Sequence, residues 1–314
     1  MKKIISVIFC FLILSNIGNA QWEQTSTGIW GAGWVYIITT DPITNYLYAG
    51  TDYGIYKSTD KGSSWLAINN GLLHPDVIAI TISGSNIFAG TNGGGVFLSN
   101  DNGSSWTPVN DGLTNLNVRS IAITGSNIFV GTNGDGIFLS TDDGGSWMPL
   151  NNGLVGLQVS FLTIIDDNIF AGTNGGLSIS TDDGSTWSQV NNGLTSYPPA
   201  SLIKSGNNLY LGNGQGVFFS SNNGNSWTAI NKGIENKIVR ALIVDGSNLF
   251  AGTSSGVYLS TDNGISWQFS SNGLPSSSVR TLAICDNKIF AGTFGGVFLS
   301  TNNGSNWTVA NNGI

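Results

Sequence analysis

The sequence predicts an all-β fold, a β-propeller of four-stranded blades with seven blades, and three observations carry that prediction. An eight-residue phrase, Ser-x-Asp/Asn-x-Gly-x-x-Trp, occurs seven times, ending on Trp65, Trp106, Trp147, Trp187, Trp227, Trp267 and Trp307. Those tryptophans lie 41, 41, 40, 40, 40 and 40 residues apart, and a fixed period in this range marks a repeat architecture. Between the copies, short apolar runs alternate with Gly- and Asn-rich turns. No stretch keeps a 3.6-residue apolar period, so helix is not expected.

Residues 1–20 read as a secretory signal peptide. Lys2 and Lys3 form a positive start, residues 4–14 an apolar run, and Gly18, Asn19 and Ala20 a small-residue cleavage site before Gln21. The run is too short to span a bilayer comfortably. The expected product is a secreted protein, extracellular or periplasmic, with residues 21–314 as one propeller domain and no membrane span. Without Lys2 and Lys3, 9 basic residues face 18 acidic ones. A net charge of −9 speaks against nucleic acid and anionic lipid as partners. Cys285 is the one cysteine left after cleavage, so no internal disulfide is expected. A chain of this length can bury a core without one.

The third copy shows how each repeat is built. Residues 118–123, 128–132, 137–140 and 147–150 read as four strands, separated by turns at 124–127, 133–136 and 141–146. Four strands in about 40 residues, closed by an Asn-Asn-Gly-Leu loop, is the pattern of a propeller blade. The second strand carries a glycine in every copy, from Gly50 to Gly292, which fits close backbone approach between crowded blades. Phe97, Phe138, Phe218 and Phe298 suit face-to-face packing of the sheets.

Within the phrase, Asp60, Asp101, Asp142, Asp182 and Asp262 are placed to accept hydrogen bonds from turn N–H groups. Asn222 and Asn302 fill the same place with an amide oxygen. The glycine permits positive φ and the tryptophan packs beneath. These residues are read as structural, with no metal and no cofactor, because a calcium cage needs six to eight converging oxygens.

This phrase resembles the Asp-box, or bacterial neuraminidase repeat, of sialidases, sortilin-type receptors and photosystem II assembly-factor propellers. The resemblance covers essentially the whole exported chain. It implies that the boxes lie at the blade periphery and that function sits on the opposite, loop-bearing face. One feature strains the seven-blade count: residues 22–29 match a fourth strand, giving eight fourth strands for seven sets of the other three. Eight blades are the alternative if the chain continues.

Function is sought where the repeat is broken. At the second position of strand one the blades read Tyr36, Ile78, Arg119, Ser160, Ser201, Arg240 and Arg280, and these are the protein's three arginines. Sialidases hold a substrate carboxylate with three arginines, and bidentate pairing explains that choice. The plainer expectation is that each arginine tops a strand and pairs with a nearby carboxylate or carbonyl. The family's Arg-Ile-Pro signature is absent, Glu23 and Glu235 are the only glutamates, and no carboxyl pair is evident for glycoside hydrolysis. His74 is the single histidine, which excludes His-based triads.

Trp30 and Trp34 fall outside the repeat. With Tyr36, Tyr53, Phe294, Arg240 and Arg280 they would share one sector once the ring closes. Such a cluster suits a ligand hot spot, while the alternative has both tryptophans sealing the closing seam as core. The resulting expectation is a non-catalytic, monomeric binding or scaffold module for a glycan, polymer or protein. A sialidase-like exo-glycosidase and an assembly-factor-like or sensor propeller are the alternatives.

Overall fold

Four consecutive strands form each sheet, and seven such sheets account for the computed structural model, which describes residues 33–194, 198–275 and 278–314. The chain divides into Met1–Trp30 and Gly31–Ile314. The first unit, with the expected signal peptide, the strand at 22–29 and Trp30, lies outside the described residues. The first blade comprises β1 (Val35–Thr40), β2 (Leu47–Thr51), β3 (Gly54–Ser58) and β4 (Leu66–Ala67), all antiparallel. The remaining first strands are β5 (Val77–Ser83), β9 (Val118–Thr124), β13 (Val159–Ile165), β17 (Ser201–Ser205), β21 (Val239–Asp245) and β25 (Val279–Cys285). Each packs on the next, and β25 packs on β1, so the first strands form a closed inner ring. The blade count is seven, and the last blade closes directly on the first.

Packing follows the repeat. The apolar side chains of facing sheets form one cluster per blade junction, as where Phe88, Val118, Val130 and Phe138 meet. The strand-two glycines sit where blades touch. A Cβ on Gly90 would stand 2.6 Å from Val118, and one on Gly131 would stand 2.4 Å from Val159.

Each box closes its turn with side-chain hydrogen bonds. Ser58 Oγ donates to Asp60 Oδ1 and accepts from Gly62 N–H, both at 2.8 Å. Asp60 also accepts from the N–H and the hydroxyl of Ser64, at 2.8 and 2.6 Å. Asn222 and Asn302 keep the backbone contact, at 3.0 and 2.9 Å.

The tryptophan does more than pack beneath its turn. Trp106 Nε1–H donates to Ile68 O at 2.6 Å and its backbone N–H to Asn70 O at 2.9 Å, so each box grips the end of the preceding blade. The fourth strand is correspondingly short: residues 147–150 yield only Met148–Pro149, because Trp147 is committed to the neighbouring blade. At the ring closure Trp65 makes the same two bonds, to Ala310 O and Asn312 O, at 2.9 and 2.8 Å. Cys285 lies buried in this seam, with Sγ 3.4 Å from Asn45 O.

Candidate ligand-binding site

The ring position singled out above has a physical identity: it is a β-bulge. Strand one pairs with strand two through Val35–Thr51 and then Ile37–Gly50, leaving Tyr36 without a partner residue. The same skip leaves out Ile78, Arg119, Ser160, Arg240 and Arg280. Bulges re-aim a side chain out of the regular pleat, so one position per blade is released from the sheet at the inner mouth. The fifth blade corrects the sequence alignment. Ser201 pairs with Gly212 as Ala241 pairs with Gly252, so the equivalent residue there is Ala200, not Ser201.

The loops around this mouth are fixed by a repeated backbone clamp. The first residue of the strand-two-to-three turn donates to the residue preceding strand one: Asp52 to Trp34 O at 3.3 Å, Asn92 to Asp76 O at 2.9 Å, and Asn133 to Asn117 O at 2.9 Å. This places Trp34 beside Asp52, and ring closure brings it to Phe294 of the last blade. Trp34 and Phe294 meet edge to face, with centroids 4.9 Å apart. Trp34 and Tyr36 stack at 6.4 Å and 9°. The Arg280 guanidinium lies 4.7 Å from the Trp34 ring centre and 5.8 Å from that of Tyr36, within cation–π range. Gly33 packs so tightly on Asp52 and Tyr53 that a Cβ there would fall 1.9 Å from Asp52 Oδ1.

The structure thus gathers Trp34, Tyr36, Tyr53, Phe294 and Arg280, with Arg240 on the adjoining blade. Arg119 is exposed on β9, which β1 and β5 separate from β25. Arg119 therefore stands three blades round the inner ring from Arg280. Trp34 is part-buried at the seam rather than sealed inside it, while Phe294 and Tyr53 are 55% and 60% exposed. Trp30 lies outside the described residues. Among those residues the ion pairs are Lys61–Asp286 and Lys204–Asp166. Of the expected pairing of each arginine with a nearby carboxylate or carbonyl, the carboxylate form does not occur among the described residues: Arg280 stacks on an aromatic, and Arg240 Nη1 is buried with no acceptor.

Two site residues escaped sequence reasoning. Asp52 and Asp76 interact electrostatically in this sector, and each has a buried Oδ1 without a donor. The other oxygen of Asp76 accepts from Asn92 Nδ2 at 2.8 Å. Burial, then the charge of Asp76, pushes the Asp52 carboxyl above its ordinary range despite the backbone N–H groups that oppose this. Burial and the charges of Asp76 and Asp52 also push the Tyr36 hydroxyl up, against the opposing pull of Arg280. Burial and the nearby charge of Arg280 lower Arg240. The available signal was positional: Asp52 stands where the next three blades carry Asn92, Asn133 and Asn174.

Buried side-chain atoms without partners are rare in folded proteins and call for explanation. Of the six among the described residues, four belong to the blades around this cluster, on Asp52, Asp76, Arg240 and Ser278, and a fifth, on Asn117, to the same loop face of blade three. The same face exposes apolar side chains on its loops, with Leu73, Leu116, Val155, Leu157 and Ile238 between 39% and 75% accessible. No group of three or more potential metal ligands occurs among the described residues. No helix of the described residues is long and apolar enough to cross a membrane.

Comparison with known proteins supports the architecture. A family model described as the DUF6242 beta propeller domain matches residues 176–289. The chain is similar to the extracellular domain of a putative one component system from B. thetaiotaomicron, with TM-score 0.73 and 18% identity over 86% of this chain and 38% of that one. It is similar to a GH74 xyloglucanase from Xanthomonas campestris, with TM-score 0.74 and 17% identity over 91% of this chain and 55% of that one. It also resembles YCF48 bound to D1 peptide, with TM-score 0.69 and 17% identity over 85% and 91% of the two chains. The chain spans less than two thirds of the one component system and xyloglucanase structures. At such identities the likeness is one of fold. No curated protein sequence matches the chain.

Proposed function

We propose that this propeller is an exported binding module whose loop face docks a protein segment, anchored on Trp34, Tyr36, Phe294 and Arg280. The observation that supports this reading is the concentration of unpartnered buried polar atoms on the loop face that carries the Trp34–Phe294 pair. A mouth that served only to close the ring would have its polar groups paired internally. Protein is favoured over glycan by the aliphatic loop residues around the rim, which offer apolar area but no flat face for a sugar. Aromatic and arginine residues at the centre of such a face are typical binding hot spots.

Selection of displayed peptides on the immobilised protein tests this. Selected peptides should bind the wild type and lose affinity at least tenfold, about 1.4 kcal/mol, in Arg280→Ala and Phe294→Ala. Both side chains are exposed, so melting temperatures should stay within a degree or two. Binding of glycans with no peptide selected would turn the reading toward carbohydrate.

A glycosidase is the second reading, and the Asp52–Asp76 pair is what favours it, since sugar hydrolysis uses two carboxyls in different environments. Hydrolysis of a glycan panel that vanishes in Asp76→Asn would establish it. Arg119 stands three blades round the inner ring from Arg280, so this reading rests on the carboxyl pair and not on a three-arginine grip.

A further inference from the structure

The mouth holds two pairs of like charges that do not neutralise each other. Arg240 and Arg280 stand on neighbouring inner strands, and the charge of Arg280 adds to burial in lowering Arg240. Asp52 and Asp76 stand across the seam, on the first blade and at the entry to the second. Tyr36 is near both: the Arg280 guanidinium lies 5.8 Å from its ring centre, and Asp76 and Asp52 act on its hydroxyl, Asp76 also through a hydrogen bond. Yet no arginine–aspartate ion pair forms among the described residues, although lysines elsewhere find carboxylates. Leaving a polar atom buried without a partner is costly, and one atom each of the part-exposed Arg240, Asp52 and Asp76 is so placed, while the other oxygen of Asp76 is held by Asn92.

Building on the docking reading above, we infer that the partner segment presents an opposite-charge pair, its carboxylate received by Arg240 and Arg280 and its cationic side chain by Asp52 and Asp76. Tyr36 stands near both poles, on the loop face that carries the Trp34–Phe294 pair. Complementary charges of this kind set orientation and exclude wrong partners more than they add raw affinity. A polyanion would meet the two aspartates, and a polycation the two arginines. Only a segment carrying both signs, in the right order, satisfies the mouth.

The test uses acetylated and amidated decapeptides of Gly and Ser, carrying one Glu and one Lys separated by zero to four residues. Glu-only and Lys-only decapeptides, and the uncharged peptide, serve as controls. Binding to the full chain is read by fluorescence anisotropy. The inference expects one spacing to bind at least tenfold tighter than either single-charge control, with the advantage shrinking in 0.5 M salt. Arg280→Ala should reduce that peptide to the Lys-only level, and Asp76→Asn to the Glu-only level, with melting temperatures unchanged. Equal binding of Glu-only and Glu/Lys peptides overturns the two-pole inference. Binding confined to uncharged, apolar selected peptides overturns it too while leaving the docking face intact. Failure of every peptide, selected or designed, removes the docking reading itself.

Discussion

In the five boxes built on aspartate a single carboxylate supports three donors, and that ties the fold to pH. Hydrogen bonds from Ser64 hold Asp60 at about 2, those from Ser105 hold Asp101 at about 2, and those from Ser266 hold Asp262 at about 2, against an ordinary value of 3.8. A carboxyl with a depressed folded value contributes stability that is complete above its unfolded value and is lost as pH falls through the folded one. The boxes therefore favour folding fully above about pH 4 and lose that contribution between about pH 4 and pH 2. Asn222 and Asn302 make the same backbone contact without a titrating group. Replacing Asp60, Asp101 and Asp262 together by Asn should leave the fold intact at pH 7. It should also flatten the fall of melting temperature between pH 4 and pH 2, measured by circular dichroism. An acid limb as steep as the wild type's would show that other carboxyls govern it.

At the scale of the strand, the contact between blades depends on what is missing from strand two. Adding a Cβ at Gly90 brings it within 2.6 Å of Val118 Cγ1 on the next blade, and overpacking of this kind costs about 1–3 kcal/mol. Gly90→Ala should lower the urea midpoint accordingly, and Val118→Ala in the same chain should recover part of the loss. Additive losses in that double-mutant cycle would mean the two sites do not touch. The glycine was legible in the sequence because spacing and residue type alone specify it, as they do the box aspartates and the strands of the third blade. Asp52 and Asp76 were not legible, since each sits in a loop that reads as an ordinary turn and acquires meaning only when the clamp sets it beside Tyr36. The misassignment of Ser201 for Ala200 has the same origin. Pairing register, not the local run of residues, defines which residue is bulged. The grip of each tryptophan on the preceding blade is likewise a contact some 37–38 residues away, invisible to a local reading of its turn.

For the whole ring, one of the seven junctions differs in kind. Blades one to seven are joined in order by short loops, so a junction that opens in mid-ring recloses between covalent neighbours. The junction of blade seven with blade one is bridged by contacts across some 240 residues of chain, such as Trp65 Nε1–H to Ala310 O and Ile38 N–H to Thr281 Oγ1. Stability in repeat arrays is a sum of repeat and nearest-neighbour interface contributions, so weakening this interface should open the ring locally before it unfolds. Cys285 reports on that event. It is 2% exposed inside the seam, and burial, reinforced by Asp286, pushes its thiol up and keeps the reactive thiolate scarce while the ring is closed. Trp65→Phe removes the seam bond, worth about 1 kcal/mol, and Trp147→Phe removes its mid-ring equivalent to Val109 O. The two variants should melt within a few degrees of each other. Only Trp65→Phe should speed alkylation of Cys285, about fivefold for 1 kcal/mol of easier opening, followed by peptide mass spectrometry so that Cys10 is scored separately. Equal acceleration in both variants would mean that the thiol is reached by global unfolding and that the seam is no weaker than its six counterparts.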